Sequence, residues 1–387
     1  MDIKHLSYSQ KTNLGSFYTP PHLVRLVYET LAKNAKGIFA DVVLEPACGY
    51  GAFFADDVGA RLIAPLHHPR LIGTDIDPKA LAIARKKNSN AEFKKVNMLS
   101  QISRSKLGIG EHEKLIIVGN PPYNDVTSRV KNNIKAEPCK IDKDIKTRDL
   151  GLSFMLAFAK LKPDYIAVLH PLSYLIKKTN FETLNPLMQS YELLDAVVFN
   201  SREFTETSKA NGFPIVAAVY KRSRGGTSYE QIIKRKFKTL EEQEFSISDF
   251  DYVCKYIPKY PSRYSKADGF KFFTMRDINA LKRSRTFIKE NTANAICIPQ
   301  EKLPYYCYVD IFKDIAPKLP YYFGNLDVPF DKPNFEKLKD DFFALSIAKH
   351  PDIFAGKFSI PNQDQINFAK TKVQTYFNKL FKGAIYV

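Results

Sequence analysis

Val43-Leu44-Glu45-Pro46-Ala47-Cys48-Gly49-Tyr50-Gly51-Ala52-Phe53-Phe54 sets an apolar run against small residues and glycines, with a helix-like pattern behind them. The run predicts a strand over residues 41–45. Where it ends, the bare backbone at Gly49 and Gly51 lets a ligand approach the strand's carboxyl end closely. A nucleotide-like cofactor is the natural guest. No Gly-Lys-Ser/Thr follows, which disfavours triphosphate binding, and the spacing is not Gly-x-Gly-x-x-Gly. A tight strand-to-helix turn with no ligand has the same composition, so the segment alone leaves both readings open.

The same alternation continues outward. Further strands are predicted over 70–75, 115–118, 165–170, 193–199 and 215–220, with amphipathic segments between them, such as Leu152, Met155, Leu156 and Ala159 on one helical face. This pattern over the first 220 or so residues predicts an α/β fold with a mainly parallel sheet. In Ile72-Gly73-Thr74-Asp75-Ile76-Asp77-Pro78, Asp75 ends the next strand, where a carboxylate can accept both ribose hydroxyls of a nucleotide. Asp77, directly before Pro78, reads as a helix N-cap. Plain turn residues are the alternative for both.

Leu115-Ile116-Ile117-Val118 then runs straight into Gly119-Asn120-Pro121-Pro122-Tyr123. Two prolines fix the backbone between an amide and an aromatic ring. That combination suits a planar amine such as the N6 amine of adenine, whose lone pair is delocalised into the ring. Hydrogen bonds from its two N–H groups to the Asn120 side-chain oxygen and the Pro121 carbonyl favour a pyramidal, more nucleophilic nitrogen. Tyr123 can stack on the base. A proline-rich turn that happens to hold Asn and Tyr is the alternative.

Lys and Arg total 58 against 41 Asp and Glu, a formal charge of +17, which implies a polyanionic partner. No stretch approaches the roughly 20 apolar residues of a membrane span, and the N-terminal residues carry no secretory apolar run, so a cytoplasmic location is expected. The five cysteines, Cys48, Cys139, Cys254, Cys297 and Cys307, lack CxxC spacing and read as free thiols; the histidine pattern predicts no metal site.

The polar, glycine-bearing residues 221–228 predict a domain boundary, giving domains 1–228 and 229–387. Beyond it the alternation stops, proline and tyrosine are frequent to about residue 333, and two helices close the chain. One carries Phe335, Leu338, Phe342 and Leu345; the other carries Ile366, Ala369, Val373, Phe377 and Leu380 and ends at Gly383. Tyr252, Tyr256, Tyr260 and Tyr264 recur every four residues, interleaved with Lys255, Lys259 and Arg263, a pattern that suits DNA contact or structural packing. Between Tyr123 and Gly151 lies a polar stretch with seven Lys or Arg and five Asp or Glu, which reads as a segment that orders on DNA or as a solvated loop.

Taken in order, these motifs resemble the gamma-class adenine-N6 DNA methyltransferases of type II restriction–modification systems. The resemblance covers about the first 220 residues. It implies a Rossmann-like class I S-adenosylmethionine methyltransferase sheet followed by an irregular α+β target-recognition domain, with S-adenosyl-L-methionine as cofactor. Gly15-Ser16-Phe17-Tyr18-Thr19-Pro20-Pro21 is similar to the family's N-terminal cofactor segment. Tyr18, Thr19, Pro20, Glu45, Ala47, Cys48, Gly49, Asp75, Ile76, Asn97, Met98 and Asn120 are the implied cofactor contacts. Asn97 stands where the family usually has Asp; its amide oxygen can still accept a hydrogen bond.

The resemblance also implies double-stranded DNA as partner and a flipped adenine, with Asn120, Pro121, Pro122 and Tyr123 as the catalytic loop. Phe204 best matches the family's second aromatic wall and Phe213 is the next candidate. A separate cognate restriction endonuclease is a further partner it allows. Methylation of adenine in RNA, methylation of a glutamine amide in a release factor, and a degenerate DNA-binding module are the competing functions.

Overall fold

Strands β1 (Val42–Pro46) and β4 (Leu115–Gly119) are buried along their full length. Continuous apolar runs of this kind belong to parallel strands covered on both faces. They lie side by side in a nine-stranded sheet with β2 (Arg70–Asp75), β3 (Ala91–Lys95), β5 (Tyr165–Pro171), β6 (Tyr191–Asn200), β7 (Pro214–Arg222), β8 (Phe237–Thr239) and β9 (Glu244–Phe245). The order is β3-β2-β1-β4-β5-β7-β6-β8-β9. Strands β1 to β5 pair in parallel, whereas β7 runs antiparallel between β5 and β6. This is a Rossmann-like α/β sheet, mainly parallel, with one antiparallel strand set between β5 and β6. The chain steps from β1 to β2 and β3 on one side, then returns to β4 and β5 on the other. The crevice outside the carboxyl ends of β1 and β4 is therefore the topological switch point, where open α/β sheets bind ligands.

This computed structural model describes residues 19–35, 37, 39–55, 68–123, 140–204, 212–261 and 269–385. Two compact units divide the chain, Met1–Phe245 and Ser246–Val387. The first runs past residue 228 because β8 pairs with β6, and β9 with β8, adding two short strands to the sheet edge.

Helix α1 (Pro21–Asn34) opens with proline at its first position and buries Leu23, Val24, Val27, Tyr28 and Leu31 in the core that covers β1 and β4. Each such side chain contributes roughly 1.5–3 kcal/mol on burial. Helix α2 (Pro78–Lys87) is capped by Asp77, whose side chain accepts the Lys79 N–H at 2.9 Å. Helix α3 (Leu150–Leu161) has nine buried residues of twelve, so its amphipathic stripe is submerged in the core rather than half solvated.

In the second unit, β10 (Phe270–Phe273) pairs antiparallel with both β11 (Phe287–Ile288) and β12 (Ala295–Ile298). Helices α4 (Leu303–Ile315), α5 (Lys339–Lys349) and α6 (Gln363–Leu380) pack around Tyr308, which meets Phe342 and Phe377 at ring separations of 5.0 and 5.8 Å. The first closing helix is broken: Lys332–Glu336 is separate from α5, with Leu338 between them at φ −121° and ψ 6°. The tyrosine repeat divides. Tyr252 bonds the Ile247 carbonyl and Tyr256 stacks on Tyr305, so both pack structurally; Tyr260 is 56% exposed, and Tyr264 lies outside the described residues. Cys48, Cys254, Cys297 and Cys307 are free thiols. Among the described residues, no helix is long and apolar enough to cross a membrane and no cluster of His, Cys, Asp or Glu could hold a metal.

Candidate active site

At the carboxyl end of β1 the backbone turns through Ala47, Gly49 and Gly51, with φ of 54°, 55° and 70°. Gly51 is required twice over: its φ is left-handed, and a Cβ there would lie 2.8 Å from Asn88 Nδ2 and 3.1 Å from the Phe93 ring. The loop is tied to β2 by the Cys48 N–H, which donates to the Thr74 carbonyl at 2.8 Å. Cys48 itself is buried against the core.

Asp75 closes the loop from the other side. Its Oδ2 accepts the Gly49 N–H at 2.8 Å and its Oδ1 accepts the Asp77 N–H at 2.9 Å. A carboxylate has about four lone-pair sites, so these bonds leave part of its acceptor capacity. Ile76, next in the chain, is 52% exposed and offers an apolar surface beside it. Burial pushes the Asp75 carboxyl above its ordinary value, outweighing the backbone donors that pull it down. Acidification therefore protonates Asp75 earlier than a free carboxylate, removing acceptor sites at the end of β2. Cofactor affinity, followed by calorimetry from neutral pH downward, should fall in that window, and the fall should flatten in Asp75→Asn. Folding responds in the opposite sense, because the buried ionised carboxylate costs stability that returns as it protonates.

Glu45 lies beneath the same loop. Its Oε1 accepts the Phe53 N–H at 3.4 Å, and its Oε2 is buried with no protein partner. Burial pushes its carboxyl well above the usual range, against the Phe53 N–H that pulls it down. A Cβ on Gly119 would lie 3.7 Å from Glu45 Cγ, which places Glu45 between the ends of β1 and β4.

After β3, Asn97 is fixed by two bonds: its Oδ1 accepts the Leu99 N–H at 2.9 Å and its Nδ2 donates to the Lys140 carbonyl at 2.8 Å. That second bond explains the amide. An aspartate could not donate, and would set two acceptors against each other. Met98 beside it is buried. The Asp142 N–H also donates to the Leu99 carbonyl, and Ile145 is buried, so residues 140–145 are anchored rather than loose. Residues 124–139 of that polar stretch lie outside the described residues.

Asn120 begins where β4 ends, and its Nδ2 donates to Thr19 Oγ1 at 3.2 Å. One bond across 101 positions thus joins the N-terminal Thr19-Pro20 segment to the Asn120-Pro121-Pro122-Tyr123 loop. Tyr18 lies outside the described residues. Tyr123 is half-buried at the rim of the core, and desolvation raises its hydroxyl above the ordinary value. Phe213, also half-buried, rims the same core directly before β7. Phe204 is 2% exposed and packs on Phe199 at a ring separation of 6.0 Å. Sequence reasoning missed what holds Asn97 and also the contacts behind Tyr123 described below, because the Asn97–Lys140 bond spans 43 positions and Gly151 lies well along the chain from Tyr123.

The profile of the N-6 DNA methylase family matches residues 3–208, which include every site residue named so far but Phe213. The chain belongs to that family. Family and fold together imply S-adenosylmethionine as its cofactor. The donor set fits it: the Glu45 carboxyl, whose buried Oε2 has no protein partner, and the Asp75 carboxyl at the end of β2 suit a ligand carrying polar groups and vicinal hydroxyls. Similar solved structures include a type I restriction–modification methyltransferase subunit from Streptococcus thermophilus, with 16% identity, TM-score 0.39, and coverage of 59% of this chain and 50% of that one. The type IIG restriction endonuclease BpuSI is also similar, with 14% identity, TM-score 0.38, and coverage of 57% and 26%. A class I S-adenosylmethionine-dependent methyltransferase from Listeria monocytogenes shows 12% identity, TM-score 0.37, and coverage of 53% and 61%. The match thus spans less than two thirds of each of these three proteins. A search of curated protein sequences gave no match.

Proposed function

We propose that this N-6 DNA methylase transfers a methyl group to the N6 amine of adenine at a specific site in duplex DNA, as the modification component of a restriction–modification system. The observation that carries this reading is the Asn120–Thr19 bond. It ties the amide nitrogen of Asn120 to Thr19 and so orients the amide, whose oxygen would accept an N–H from the target amine. The Pro121 carbonyl, held by two successive prolines, is the second acceptor. Together they localise the amine's lone pair and keep the nitrogen facing the cofactor crevice, so neither a covalent intermediate nor a strong base is needed. S-adenosylmethionine, when bound, supplies an electrophilic methyl group. Glu45, Ala47, Cys48, Gly49, Asp75, Ile76, Asn97 and Met98 would hold it, with Thr19, Pro20 and Asn120 along its reactive side.

Reaching the amine requires the base to leave the duplex, which costs a few kcal/mol of unstacking. Tyr123 supplies one aromatic wall. Phe213 is favoured over Phe204 for the second, because Phe204 is enclosed by the core while Phe213 keeps part of its ring exposed. The second unit, Ser246–Val387, would recognise the target sequence, and the net charge of +17 supports a polyanionic substrate. Cytoplasmic action and a separate cognate nuclease belong to this reading. Incubation with tritiated S-adenosylmethionine and a mixture of plasmid DNA, RNA and release factor should put label in DNA adenine. Label in RNA or release factor alone would overturn the assignment.

A further inference from the structure

Behind Tyr123 stands a column of buried polar and aromatic groups outside the proposed chemistry. Asp149 caps α3: its Oδ1 accepts the Gly151 N–H at 2.9 Å and also the Tyr174 hydroxyl proton. The Tyr174 ring stacks on His170, with centroids 5.4 Å apart and 12° between planes. His170 in turn meets the Tyr220 hydroxyl through Nε2 at 2.7 Å and stacks on that ring. Tyr174, His170 and Tyr220 are buried, so the column is anchored in β5 and β7.

Gly151 is where this column reaches the catalytic loop. A Cβ at that position would lie 2.9 Å from Cβ of Tyr123 and closer still to the Tyr174 hydroxyl. Its φ is not left-handed, so the backbone does not demand glycine, and helix propensity disfavours glycine there. The remaining reason for glycine is space: Tyr123 on one side and the Tyr174 hydroxyl on the other.

We propose, on the reading of Tyr123 as the residue that stacks on the target base, that Gly151, Asp149 and Tyr174 are positioning residues that seat Tyr123. Asp149 and Tyr174 fix the first turn of α3, and the bare Gly151 gives Tyr123 a surface of defined position. None of the three touches substrate. A displacement of the seat moves the ring and with it the amine.

Gly151→Ala should lower kcat by roughly tenfold to a hundredfold, as expected for a misplacement near 1 Å, with cofactor Kd and DNA KM little changed. Asp149→Asn should keep near-normal kcat, since one amide oxygen can accept both bonds that Asp149 Oδ1 now accepts. The decisive variant is Gly151→Ala combined with Tyr174→Phe. Removing the hydroxyl relieves one of the two clashes but also deletes its bond to Asp149, so melting temperature should recover in part while kcat stays low, because the clash with Tyr123 remains. Recovery of both together would reduce Gly151 to a packing role and overturn the seat. A readout independent of methylation comes from Tyr123→Trp, the only tryptophan in a chain that has none. In that background Gly151→Ala should red-shift the emission and raise acrylamide quenching; an unchanged spectrum would overturn the proposal. If the wild type labels no DNA, the functional reading fails while the emission still judges the seat.

Discussion

Asn120→Ala is expected to lower kcat by about two to three orders of magnitude, the loss seen when one preorganised polar group is removed from a transition-state site. The adenine amine is a poor nucleophile until its lone pair is localised, and the Asn120 amide oxygen is the side-chain acceptor assigned to that task. The cofactor Kd should change far less, because Glu45, Asp75 and the Gly49 turn remain in place. Single-turnover methylation alongside calorimetric titration of cofactor separates the two effects. Thr19→Ala should give a smaller loss of about fivefold, since it removes one neutral hydrogen bond worth about 1 kcal/mol and leaves the acceptor in place but less well oriented. If Asn120→Ala turned over at the wild-type rate, localisation of the lone pair by Asn120 would be wrong, whatever the substrate proved to be.

The parts of this fold that the sequence reveals are those where burial is uniform. Strands β1 and β4 are apolar throughout, and their positions lie within a residue or two of the expected ones. Strand β3, Ala91-Glu92-Phe93-Lys94-Lys95, was not expected, because it is an edge strand in which Phe93 alone is buried. Strands β8 and β9 are too short to carry a period, and they follow the polar, glycine-bearing residues 221–228 that predict a boundary. Helix α4 is masked by composition: Leu303-Pro304-Tyr305-Tyr306-Cys307-Tyr308 is rich in residues that favour strands, and burial of Tyr306, Tyr308 and Phe312 overrides that preference.

The site divides on the same line. Asn120, Asp75 and the Gly49 turn are legible because strand ends and glycines are local features. The reason for Asn97 is not, since its amide answers to the carbonyl of Lys140, 43 positions on.

Phe204 and Phe213 turn that division into a measurement. Phe204→Ala should destabilise the first unit by about 3–5 kcal/mol, the cost of truncating a fully buried phenylalanine. For a unit of this size the melting temperature should drop on the order of ten degrees. Turnover per folded molecule should survive, because the ring is packed on Phe199 and closed off from a base. Phe213→Ala should behave in the opposite way. Half of its surface cost is already absent, so the melting temperature moves little, whereas loss of a stacking partner worth about 1–3 kcal/mol should lower kcat/KM for DNA by roughly tenfold to a hundredfold. Duplexes with 2-aminopurine at the target position report the extruded base directly: their fluorescence on binding should persist in Phe204→Ala and weaken in Phe213→Ala. The reverse pattern, with an unshifted melting curve and dim 2-aminopurine in Phe204→Ala, would mean that Phe204 leaves the core when DNA binds and that the aromatic wall is built by that movement.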